Sequence, residues 1–213
     1  MIRRDYFIKL VQELSGVLLR VFSLKARREY AEALREIDEA LERYLDLKPD
    51  AAAPEKLDNI LLLCGREEGP TSEKVILLAD IFYEQGEILA LHEGPEVARR
   101  SFLVALGLYL ESARHGFVSL DLLKKVDALV QRMADAQLPV PVLRRLMVYL
   151  EDRGLYATAE DTLYEWLEQD PQNARPEGLV FYDRLLTKSD EDLARGNLPR
   201  TEVEEGRSKL ASL

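Results

Sequence analysis

Residues 143–171 read LRRLMVYLEDRGLYATAEDTLYEWLEQDP. Leu143, Leu146, Met147 and Leu150 fall at i, i+3, i+4 and i+7, which is one face of a helix. Arg144, Arg145, Glu151 and Asp152 take the other positions. Gly154 follows where a helix commonly ends in a left-handed residue, a conformation open to glycine because it has no Cβ. A second stripe, Ala159, Leu163 and Trp166, predicts a second helix opening near Tyr156. Pro171 ends it, because a proline pushes the residue before it out of the helical region. Neither helix can bury its stripe alone, so the two must pack on each other and on neighbours.

Leu146, Leu150, Gly154, Tyr156, Ala159, Leu163 and Pro171 together resemble one tetratricopeptide repeat, a helix–turn–helix unit of about 34 residues. Two positions depart: Met147 stands where the repeat usually has glycine or alanine, and Trp166 where it usually has alanine. Both are larger, which predicts an altered distance or angle between the helices. Further upstream, Leu78, Ala79, Phe82 and Gly86 match a repeat's first helix. Tyr30, Ala33, Ile37 and Ala40, and then Ala98, Phe102 and Ala105, match second helices. The resemblance implies an all-α fold of antiparallel hairpins stacked as a short solenoid, an α-α superhelix. It also implies a concave surface lined by first helices. On that resemblance Asp80, Tyr83, Glu84, Arg144, Val148 and Glu151 are the positions that face a partner.

Composition fits a folded chain. It has 213 residues, 47% hydrophobic and 32% charged, enough for a real core. A formal charge of -10 speaks against nucleic acid, whose phosphates need a basic surface, and against acidic lipid headgroups. The single cysteine, Cys64, forms no internal disulfide and fits a reducing compartment. Arg3 and Arg4 precede apolar residues, but Asp5, Lys9, Gln12 and Glu13 break any signal-peptide core. No uncharged apolar run reaches the length of about 18 residues that a membrane span needs. The cytoplasm is the expected address.

Residues 1–213 read as one helical domain, with 1–68 and 69–213 as candidate sub-units on either side of GREEGP. The first helix is expected over residues 2 to 23. Its stripe is Ile8, Val11, Leu14, Leu18, Val21 and Phe22, widened by Phe7, Leu10, Val17 and Leu19. The opening MIRRDYFIKL and the acidic C-terminal segment resemble an uncharacterised bacterial family of unknown function, which implies no activity. A second helix is expected over 26–46. After Pro49, Pro54 suits the start of a short helix carrying Leu57, Ile60, Leu61 and Cys64. A hairpin follows over 73–91 and 95–114. Its first helix is extended and closes at Gly94 and Pro95; His115 and Gly116 end the second. Ser119 caps a helix running to about Ala136, with Leu122, Leu123, Val126, Leu129, Val130 and Met133 inward. LPVP then breaks the chain. Beyond Pro171, PQNARPEG leads to a helix over 176–187, and Ser189 with Asp192 and Thr201 with Glu204 read as two capping boxes. The polar final helices suit a solenoid's end.

No catalytic, cofactor-binding or metal-binding residue stands out. Cys64 follows three leucines with no cation beside it in sequence, so it reads as a packing thiol. His92 and His115 lie apart and outside any metal spacing. The carboxylates 190–192 and 202–205 read as solvated helix starts, with no calcium-loop pattern. The arginine pairs 3–4, 27–28, 99–100 and 144–145 read as solvated faces, and no phosphate-cradling glycine loop occurs. Tyr83, Tyr109, Tyr149 and Tyr164 read as core. The expected function is therefore non-catalytic protein–protein interaction with an unidentified protein or peptide. One alternative is a self-associating homodimer, suggested by the broad apolar first helix. Another is a sensor or enzyme holding a small ligand between helices.

Overall fold

The computed structural model describes residues 2–48, 52–64, 70–114 and 119–212. Among the described residues every regular element is helical and no strand occurs. Packing divides the chain into two compact units, Met1–Val142 and Leu143–Leu213.

The first unit holds α1 (Ile2–Ala26), α2 (Tyr30–Leu45), a 3-10 turn at Pro54–Lys56, α3 (Leu57–Cys64), α4 (Pro70–His92), α5 (Pro95–Arg114) and α6 (Leu120–Arg132). Its most extensive contact is the α4–α5 hairpin; α1 and α2 pack on each other and on α4, while α6 packs on α5. The hairpin closes as its sequence predicts. Gly94 takes φ +109°, its N–H donates to the Leu89 carbonyl at 3.0 Å, and Pro95 opens the next helix. Every residue of α5 from Ser101 to Leu110 is buried, as a helix apolar on all sides must be. Each large side chain there contributes about 1.5–3 kcal/mol by leaving water.

The first helix runs three residues longer than its pattern suggests. Leu10, Leu14, Val17, Leu18, Val21 and Leu24 face inward. Leu19 and Phe22 do not: they are 69% and 46% exposed, against the expectation of a stripe wide enough to bury them. At about 100° per residue, Leu19 points away from Val17 and Val21, and Phe22 points away from Leu24. The side chains of Phe7 and Ile8 lie outside the described residues. The turn to α2 centres on Arg28, left-handed at φ 61°. A side chain in that conformation costs roughly 1–2 kcal/mol, and no glycine marks the place in the sequence. Pro54 and α3 fall as expected, with Leu57, Ile60 and Cys64 buried. Ser119 caps α6, accepting the Leu122 N–H at 3.1 Å, though the helix ends at Arg132 rather than near Ala136. Pro49, Gly65 and His115–Gly116 lie outside the described residues.

The helix α7 (Val140–Asp152) carries the chain into the second unit, which continues with α8 (Tyr156–Gln169), α9 (Pro171–Leu186), α10 (Asp190–Arg195) and α11 (Arg200–Ser212). Gly154 adopts φ +72° between α7 and α8, and the Leu155 N–H donates to the Leu150 carbonyl at 2.9 Å. Leu143, Leu146, Met147, Leu150, Ala159, Leu163 and Trp166 are all buried. The backbones of α8 and α9, and of α9 and α11, come close together; those of α7 and α8 do not.

Two readings of this region are corrected. The ninth helix begins at Pro171, not at 176. The Asp170 carboxylate accepts the Asn173 N–H at 3.3 Å, which caps the helix, and Pro171 takes the first position where no N–H is needed. Pro176 lies inside the helix and forfeits one ladder bond there. Ser189 caps α10 as predicted, accepting the Asp192 N–H at 3.1 Å. Thr201, by contrast, falls inside α11; the Pro199 carbonyl accepts the Glu202 and Val203 N–H groups.

Candidate functional site

Asp80, Tyr83 and Glu84 lie at i, i+3 and i+4 on α4, so they share one face. The fold brings that face against three other helices. Asp80 Oδ1 accepts the Tyr109 hydroxyl of α5 at 2.5 Å and the Lys125 ammonium of α6 at 2.8 Å. Lys125 also reaches Asp121 at 3.1 Å and stands 6.0 and 5.7 Å from the ring centroids of Tyr83 and Tyr109. Tyr83 meets Phe102 and Tyr109 edge-on at 5.9 and 6.5 Å. Glu84 is buried and pairs with Lys25 of α1 at 2.7 Å.

Burial and neighbouring charges shift the titrating groups of this cluster. Burial, followed by the Asp80 charge and hydrogen bond, pushes the Tyr109 hydroxyl far above its ordinary range. Burial, then Glu87, pushes Tyr83 up as well. Burial works to discharge Lys125, but its bonds to Asp80 and Asp121 outweigh that and hold it charged.

The three positions on α7 are arranged differently. Arg144 is exposed, with its guanidinium 5.9 Å from the buried Trp166 ring. Val148 is half-buried. The Glu151 carboxylate takes a two-pronged bond from Arg184 of α9, at 2.7 and 2.5 Å. That bond outweighs burial, which pulls the other way, and raises the Arg184 pKa. The functional partners that the sequence does not signal are Lys125, Tyr109 and Arg184. They come from 45, 29 and 33 residues away, and no local spacing reports such a distance.

The remaining candidates resolve one by one. The Cys64 thiol is buried and pushed up to about 11 by burial, against the opposing charge of Lys74. Lys74 is the cation missing from the local sequence; its ammonium donates to the Leu63 carbonyl at 2.8 Å. His92 is exposed, its ring 5.9 Å from that of Tyr30. Beside them a shallow cleft of about 380 Å³ is lined by Arg28, Glu29, Tyr30, Ala31, Glu32, Arg35 and His92. Among the acidic helix starts, Asp192 is held below the usual carboxylate range by its Ser189 hydrogen bond. Asp190 pairs with Arg200. Among the described residues, no group of three or more His, Cys, Asp or Glu could hold a metal, and no helix is long and apolar enough to cross a membrane.

A family model, that of a family of unknown function (DUF6483), matches the chain over residues 1–213. No curated protein and no solved structure matches it.

Proposed function

We propose that this chain, which belongs to the DUF6483 family, is a non-catalytic protein-binding module of hairpins similar to tetratricopeptide repeats, acting in the cytoplasm on a protein or peptide. The observation that carries the reading is the difference between the two predicted faces. Asp80, Tyr83 and Glu84 are engaged by Tyr109, Lys125 and Lys25 inside the first unit. Arg144 stands outward on α7 with Val148 half-buried beside it, and Glu151 is anchored by Arg184. The exposure of Arg144, with Val148 half-buried one turn along the same helix, makes α7 the part of the expected surface that a partner can reach. Affinity capture with the parent chain and an Arg144→Glu, Val148→Asp variant tests this. The partner should be lost from the variant; an unchanged set of captured proteins would remove α7 from the binding surface.

A second reading, self-association through α1, is favoured by one further observation. Along one outward line of the helix, Gln12, Ser15, Gly16, Leu19, Phe22, Ser23 and Ala26 carry no charge. A Cβ at Gly16 meets nothing nearer than Arg20 Nη1 at 3.5 Å, so internal packing gives no reason for glycine there. Glycine within a helix costs roughly 0.5–1 kcal/mol against alanine. An antiparallel pairing of two copies about Leu19 sets Gly16 of one level with Phe22 of the other. Light scattering with chromatography should show a dimer that Leu19→Lys dissociates. A strict monomer at high concentration sinks this reading.

A further inference from the structure

No further inference is drawn: the strongest candidate, the shallow cleft where Arg28, Arg35 and His92 gather at the start of α2, rests on a helix N-terminus ringed by exposed side chains, with no second observation that points to a ligand.

Discussion

The α4–α5 and α7–α8 hairpins carry the same repeat-like pattern and pack in different ways. At matching positions the first has Ala79 and Ala105, and the second has Met147 and Trp166; all four are buried. The backbones of α4 and α5 come close at many points. The backbones of α7 and α8 come close at few points, and Arg144 of one stands over the Trp166 ring of the other. The same apolar pattern is thus compatible with both a close and a wider approach of two helix backbones.

The largest test of that contrast is Trp166→Ala. It should cost roughly 3–5 kcal/mol by denaturant unfolding, since removing a buried indole leaves a cavity that its neighbours fill only in part. A loss below about 1 kcal/mol, the size of an ordinary surface change, would mean the indole is not packed in the interior. Next comes Asp80→Ala, which strips partners from the 1%-exposed Tyr109 and from Lys125. A loss of roughly 3 kcal/mol is expected, because a buried hydroxyl is left without its acceptor and a part-buried cation keeps only Asp121. Ala79→Met carries the second hairpin's bulk into the first. Overpacking there should cost about 1–3 kcal/mol, and an unchanged midpoint would show that α4 and α5 have slack.

The smallest effect concerns pH. Burial raises the Glu160 pKa above 4.5, against the hydrogen bond it accepts from Tyr182 at 2.6 Å. A folded pKa above the unfolded one means this carboxyl favours folding most when protonated, and the contribution is lost as pH rises through the folded value. Glu160→Gln keeps an acceptor for Tyr182 and removes the charge. The variant should match the parent below pH 4.5 and exceed its stability at neutral pH. Unfolding curves that run parallel across this range would show that Glu160 is well solvated.

Much of the fold was legible because its signals are local. Gly94, Gly154 and Ser119 each act within a few residues of where they stand, and each does what its chemistry predicts. The outward turn of Leu19 and Phe22 was not legible. Apolar residues on three sides of a helix do not say which side its neighbours will cover, and α2 and α4 take the other one. The turn at Arg28 was hidden for the opposite reason, since a strained arginine leaves no mark in composition. For the candidate site, the sequence offered the α4 and α7 positions but not Lys125 or Arg184, whose roles exist only once distant helices meet.

Asp170 alone separates α8 from α9. Its N–H donates to the Trp166 carbonyl as one helix finishes, and its carboxylate caps the other. The join therefore serves both helix ends with a single residue. One residue inserted there would part the two bonds that Asp170 makes, leaving either the end of α8 or the start of α9 without its cap. Length at this corner is consequently as constrained as identity, and relatives should vary their loops elsewhere.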